Sequence, residues 1–181
     1  MKLECVKVGS LKTNCYILEL NGKVIVIDPG ADFYLIKRYL MDKTVVAVLI
    51  THGHDDHTGA LDSMIDYYHP NVYSHNNLSE GKMSIEGFNF EVIYTPGHTS
   101  DSVSYYFYEY RLMFVGDFIF KGTVGRMDMP TGSMIDMRNS LRKIYNYDER
   151  IKLFPGHGEE TYLRDEKRLN QYFIKWVEGT N

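Results

Sequence analysis

Two cysteines, Cys5 and Cys15, are too few in 181 residues for a disulfide scaffold. Both fall in segments that read as N-terminal strands, where a free thiol behaves as a small hydrophobe. Positive charge is also scarce: 20 Lys and Arg stand against 24 Asp and Glu, a net −4 with a pI near 6.0. That balance excludes a general basic surface for wrapping nucleic acid and leaves room only for a small basic groove. No apolar run approaches the roughly 20 residues that span a bilayer. The opening Met1-Lys2-Leu3-Glu4-Cys5 carries no apolar signal-peptide core. Repeats, low-complexity tracts and Ser/Gly linkers are missing as well. A soluble, cytoplasmic, single domain over residues 1–181 is the expectation.

The composition is globular, with 44% hydrophobic and 24% charged residues, which excludes disorder and collagen. Fifteen tyrosines lift the aromatic share to 14%, in keeping with a β-rich fold. Leu3 to Val8, Cys15 to Leu20 and Lys23 to Ile27 read as strands, the last two joined by the hairpin signal Asn21-Gly22. Phe33, Ile36, Tyr39 and Leu40 mark a helix face. Val45 to Ile50 is a continuous apolar run, the pattern of a strand covered on both sides. A helix over Ala60 to Tyr68 and a strand over Asn71 to Ser74 follow. Phe88 to Tyr94, Val103 to Tyr108 and Arg111 to Val115 predict three further strands. Ile135 to Ile144 predicts a helix, Ile151 to Phe154 a last strand, and Leu163 to Val177 one closing helix. That order suits two sheets flanked by helices.

Chemistry concentrates where strands end. Thr51-His52-Gly53-His54-Asp55-Asp56-His57 packs three imidazoles and two carboxylates directly behind the buried strand. An H-x-H pair on a short turn brings two imidazoles to one cation, and Gly53 lets the chain bend between them. His98 sits in Thr95-Pro96-Gly97-His98, and His157 in Pro155-Gly156-His157, each in a turn beyond a strand. Asp117 repeats the placement after Val115-Gly116. Five of the seven histidines thus sit at strand ends, which a set of unrelated turn residues does not explain. His69 and His75 read as surface residues.

With these motifs in this order, the chain resembles the metallo-β-lactamase superfamily, whose H-x-H-x-D-H appears as His52, His54, Asp56 and His57. It is most similar to small glyoxalase II-like (hydroxyacylglutathione hydrolase-like) hydrolases. The resemblance extends through Thr13-Asn14-Cys15-Tyr16, Asp28-Pro29-Gly30, Gly125-Arg126 and Pro155 to Gly158. It implies an α/β fold, a four-layer αββα sandwich. It also implies two divalent metal ions, zinc by default with iron or manganese possible. His52, His54 and His98 would hold one ion, and Asp56, His57 and His157 the other, with Asp117 between them. Asp56 and Asp117 are the catalytic candidates. Asp28 would orient a ligand imidazole, and Lys121 and Arg126 are candidates to face the substrate.

The implied activity is cleavage of a small-molecule thioester of hydroxyacyl-glutathione type by a metal-bridging hydroxide. A mononuclear-iron persulfide dioxygenase using His52, His98 and Asp117 is the alternative, as is a lactone or other ester hydrolase. No nucleic-acid or membrane partner is expected, and the oligomeric state stays open. Two departures accompany the resemblance. His98-Thr99-Ser100-Asp101-Ser102 stands where the family often has His-Thr-Pro-Gly-Ser. The helical C-terminal domain with which full-length glyoxalase II binds glutathione has no counterpart in residues 1–181.

Overall fold

A computed structural model describes residues 1–178; the last three residues of the expected 1–181 domain lie outside the described residues. β1 (Lys2–Val8), β2 (Thr13–Leu20) and β3 (Lys23–Ile27) form an antiparallel meander. Asn21 and Gly22 both adopt positive φ, 52° and 77°, the geometry a two-residue hairpin needs. After α1 (Phe33–Tyr39) the chain returns as β4 (Thr44–Leu49), parallel to β3. A short α2 (Asp55–Thr58) and α3 (Leu61–Tyr68) lead to β5 (Asn71–Tyr73), parallel to β4. The first sheet runs β1-β2-β3-β4-β5.

The second half begins with β6 (Gly81–Ile85), β7 (Phe88–Tyr94), β8 (Val103–Phe107) and β9 (Leu112–Gly116), antiparallel in turn. A small hairpin, β10 (Ile119–Phe120) and β11 (Thr123–Val124), precedes α4 (Met134–Tyr145). β12 (Lys152–Pro155) lies parallel to β9, and β13 (Thr161–Tyr162) closes the sheet in the order β13-β12-β9-β8-β7-β6. α5 (Leu163–Leu169), α6 (Gln171–Phe173) and a π turn (Ile174–Glu178) end the described chain.

Alternation within the strands builds the layers. Ile25 and Ile27 of β3 point between the sheets, where they join Leu49, Phe90, Tyr105, Phe107 and Phe114. Val24 and Val26 point outward, against Ile36 of α1 and Met64 of α3. In the second sheet Met113 and Val115 pack outward on Met137, Leu141 and Ile144 of α4. Central strands therefore bury both faces, which explains the unbroken apolar runs in the sequence. Each such side chain, fully buried, contributes about 1.5–3 kcal/mol before entropy is counted. The result is the expected αββα sandwich.

Three expectations need correction. The closing helix is broken at Asn170, which adopts an extended backbone. Its side-chain amide donates to the Thr123 carbonyl (2.9 Å) and to the buried Glu166 carboxylate (2.8 Å), and its Oδ1 caps the Tyr172 N–H (3.0 Å). The tertiary bond to Thr123, with the local ones to Glu166 and Tyr172, outweighs a pattern that would have continued the helix. Of the two cysteines only Cys15 is buried. Val6 opposes Cys15 while Cys5 opposes Tyr16, so the period-2 pleat sends the thiols to opposite faces. His75 is half-buried, its ring centroid 4.6 Å from that of Tyr94. No described helix is long and apolar enough to cross a membrane.

Candidate metal centre

The two sheets bring five strand ends to one edge. Asp28 follows β3, and Thr51 and His52 follow β4, its parallel neighbour. His98 follows β7, Asp117 follows β9 and His157 follows β12, three strands that run in the same direction. This is the edge where ligands collect in α/β sheets. The approach is close enough to require glycine: a Cβ on Gly156 would overlap the Asp117 carboxylate and the His57 ring. One on Gly30 would overlap the Asp56 carbonyl.

Seven side chains expected at a metal site converge here. His54 Nδ1 lies 3.0 Å from His52 Nε2 and 3.1 Å from His98 Nε2. Asp56 Oδ2 lies 3.1 Å from His157 Nε2 and 3.5 Å from His57 Nε2. Asp117 reaches both groups: one carboxylate oxygen is 3.3 Å from His57 Nε2, the other 3.7 Å from His98 Nε2 and 3.6 Å from His157 Nε2. The ligand atoms fall into clusters within 4.8 Å of one another: His52-His54-His98, Asp56-His57-His157, and His52-His57-Asp117 joining them.

Hydrogen bonds behind the cluster set which ring nitrogen faces inward. His98 Nδ1 donates to the Arg126 carbonyl (2.7 Å) and His157 Nδ1 to the Leu11 carbonyl (3.2 Å). The Thr51 hydroxyl donates to Asp28 Oδ2 (2.6 Å), so it can only accept from His52 Nδ1 at 3.1 Å. His52, His98 and His157 therefore turn bare Nε2 lone pairs toward the centre. His54 Nδ1 has at most one proton for its two neighbouring lone pairs. His57 Nε2 and Asp117 Oδ1, 3.3 Å apart, are buried and make no hydrogen bond among the described residues. Orphaned buried polar atoms cost about 1–3 kcal/mol each. A divalent cation among imidazoles and carboxylates removes that cost, so these residues fit the metals expected of them.

The charges are consistent with that role. Burial, reinforced by the neighbouring imidazoles, pushes His52 down to about 2, and burial likewise lowers His98, keeping both in the neutral, ligating form. Burial also opposes a proton on His57, but the Asp28 and Asp117 carboxylates overcome it and hold this ring up to about 10. Asp117 is held down to about 2 by His57 against its own burial. Asp28 Oδ2 accepts from His57 Nδ1 (2.8 Å), and Asp28 Oδ1 from the Thr51 N–H (2.8 Å). One carboxylate thus orients His57 directly and His52 through Thr51.

Several supports carried no role in the sequence reading. The Thr13 hydroxyl donates to Asp56 Oδ2 (2.9 Å). Asn14 holds the His157 turn by its N–H on the Gly156 carbonyl (2.7 Å) and its amide on the Pro155 carbonyl (2.9 Å), joined by the Tyr16 hydroxyl on Pro155 (2.6 Å). These residues make up the Thr13-Asn14-Cys15-Tyr16 motif, whose presence was the only signal. Asp101, where the family motif departs, accepts from the Gly53 N–H (3.1 Å) and so steadies the H-x-H turn.

A cavity of about 430 Å³ opens on the cluster, with Leu11 and Met129 as apolar flanks and Asp55 and Arg126 as polar ones. Arg126 is tied to Asp128 by two bonds of 2.7 and 2.8 Å. Lys121 is exposed, pairs with Glu159 at 2.6 Å, and does not line the cavity. Of the two basic candidates for facing the substrate, only Arg126 stands at the mouth.

A double sheet between helices, with imidazole–carboxylate clusters at its shared edge, defines a metal-dependent enzyme of the αββα type. The sequence profile of the metallo-beta-lactamase superfamily matches residues 8–82 and 78–157, and the chain belongs to that superfamily as a metallo-hydrolase. It is 30% identical to the probable metallo-hydrolase YqgX of Bacillus subtilis, covering 95% of this chain and 97% of that one. It is 28% identical to the hydroxyacylglutathione hydrolase GloC of Haemophilus influenzae over 95% and 98%. Among solved structures, BLEG-1 B3 metallo-beta-lactamase superposes with a TM-score of 0.91 at 28% identity, covering 95% and 99%. The di-iron-bound form of TTHA1623 superposes with a TM-score of 0.86 at 29% identity, covering 93% and 99%.

Proposed function

We propose that this protein is a binuclear cytoplasmic hydrolase of small thioesters of the hydroxyacyl-glutathione type, with Asp56 and Asp117 as catalytic residues. The observation that carries the reading is the pair of ligand clusters joined by Asp117 beneath a single cavity. The similarity to GloC supports the choice of substrate class. Zinc is the proposed ion, and the di-iron relative makes iron the competing one.

Divalent ions held by these residues would supply an acidified water and a polarised carbonyl. The chain's own contribution is placement. Asp117, kept ionised and almost buried, turns one oxygen to His57 and sets the other between His98 and His157, so its carboxylate touches both clusters. Asp56 lines the cavity with one oxygen fixed by Thr13, so its carboxylate can orient an attacking water and accept its proton. Leu11 and Met129 cover the apolar part of a substrate and exclude bulk water from its carbonyl. A thiolate is a weak base and leaves without a proton donor, so no acid beyond these carboxylates is required. S-D-lactoylglutathione should be cleaved by the purified protein, and a chelator should abolish that cleavage. Metal-loaded protein that leaves this thioester intact would sink the proposal.

A further inference from the structure

A second cavity, about 480 Å³ and as large as the one over the metal centre, lies between α1 and α3. Lys43 on its wall directly precedes β4, whereas Thr51 and His52 follow the opposite end of that strand. At 3.3 Å per residue the strand separates the two places by roughly 20 Å. Nothing in the hydrolytic chemistry uses this second cavity.

Its walls are aromatic and cationic. Tyr34 is 80% exposed and Tyr67 is 55% exposed, large rings left in water on a protein with ample apolar interior. Tyr67 is held edge-on by Phe33 (5.9 Å) and Tyr68 (4.8 Å), so its orientation is fixed rather than free. Lys37 Nζ sits 3.7 Å from the Tyr67 ring centroid. Neither Lys37 nor Arg38 makes an ion pair among the described residues, while Lys43 is taken by Glu19 at 3.0 Å. Cations in a last helical turn often answer the free carbonyls there. Here the Lys37 carbonyl is already capped by the Leu40 N–H at 3.1 Å, and among the described residues neither cationic side chain bonds a carbonyl. Asp42 is the one carboxylate on the lining, and it is exposed.

Two uncompensated cations beside two presented rings select a ligand with the opposite features, a flat π-system carrying negative charge. The volume lies within the roughly 300–1,000 Å³ typical of small-molecule sites. We propose that this cavity binds a small aromatic anion of the nucleoside-monophosphate class. The ring rests on Tyr34, and the anionic group is held by Arg38 and by Lys37, which the Tyr67 ring holds in place. The inference is independent of the reaction assigned to the metal centre.

Calorimetric titration of the metal-loaded protein with AMP is the test, with adenosine and inorganic phosphate titrated in parallel. AMP should saturate a single site, and each half-ligand should bind at least tenfold more weakly than AMP. Arg38→Ala and Tyr34→Ala, both at exposed positions that the core does not need, should each weaken AMP at least fivefold and leave metal content unchanged. Tyr67→Phe keeps the ring and should retain binding. Absence of AMP binding at millimolar concentration would overturn the proposal. So would binding that survives the Arg38→Ala/Tyr34→Ala double variant, or binding lost in Asp117→Asn, which would place AMP at the metals. Self-association in sedimentation velocity that disappears in Tyr34→Ala would give the face to a second copy of the chain, and likewise overturn it.

Discussion

The two ligand clusters differ by one carboxylate and in how the fold charges their imidazoles. His52, His54 and His98 form an all-imidazole group in which burial keeps His52 and His98 neutral. Asp56, His57 and His157 surround a ring that Asp28 and Asp117 hold in its protonated form. The first group is ready for a cation as it stands. The second must give up a proton from His57 before Nε2 can coordinate. Asp28 behind His57 and the shared Asp117 beside it create this difference, and they make the second site the more pH-dependent of the two.

Removing the residue common to both groups should have the largest effect. Asp117→Ala is expected to lower turnover of S-D-lactoylglutathione by about a thousandfold or more, as loss of a charge from a preorganised site does. Metal analysis should show less than two ions per chain. Full activity with two ions bound would erase the bridging role.

Asp28→Asn is expected to separate the clusters. It removes the charge behind His57, so metal affinity at the second group should fall about 10- to 100-fold, the usual scale for a partner behind a ligand. Affinity at the first group should change less, because Thr51 still stands behind His52. Competition with graded chelators would resolve the two sites, and equal losses at both would remove the asymmetry. Thr51→Val sharpens the same contrast from the other side. Without the hydroxyl, His52 Nδ1 and Asp28 Oδ2 each lose a partner, a cost of about 1–3 kcal/mol read as a lower melting temperature. The weakening should then be greater at the first group.

The metal-free protein should report the His57 charge directly. His57 rises from 6.5 to about 10 on folding, so its stabilisation is complete below pH 6.5 and is lost as pH climbs through 10. Asp117 falls from 3.8 to about 2, so its stabilisation is present above pH 3.8 and is lost as pH drops through 2. His52 falls from 6.5 to about 2, so it costs stability as pH drops below 6.5. The melting temperature of the chelated protein is therefore expected to peak near pH 6.5 and to decline toward both acid and pH 10. Added zinc should flatten the alkaline side. A metal-free protein that gains stability from pH 7 to 9 would contradict a protonated His57. The smallest effect is expected from Arg126→Ala: its pair with Asp128 is exposed, so the melting temperature should not move.

The seven converging residues were legible because their information is local. An H-x-H turn, a Pro-Gly-His and a Gly-Asp each announce themselves within a few positions, and the apolar runs before them mark the strand ends they follow. Continuous runs such as Val45 to Ile50 similarly foretold strands buried on both faces, and with them the layered fold. Local pattern failed where distant groups compete for the backbone. Asn170 breaks the last helix with its side-chain amide shared between Glu166, four residues back, and the distant Thr123 carbonyl, and no periodicity within 163–177 contains Thr123. β6, which the sequence pattern missed, exists through its pairing with β7.

At the centre itself, composition and order along the chain were enough to select the superfamily and the seven converging side chains. The protonation pattern was decided by tertiary structure alone. Asp28, Thr51 and His57 come from two different connections, and Thr13, Asn14 and Tyr16 reach the Asp56 and His157 turns from a strand more than forty residues away in sequence. Hydrogen-bond direction and desolvation depend on distances of a few tenths of an ångström between such segments. Those distances are set only when the two sheets pack, which is why the converging side chains could be read from the chain and their charges could not.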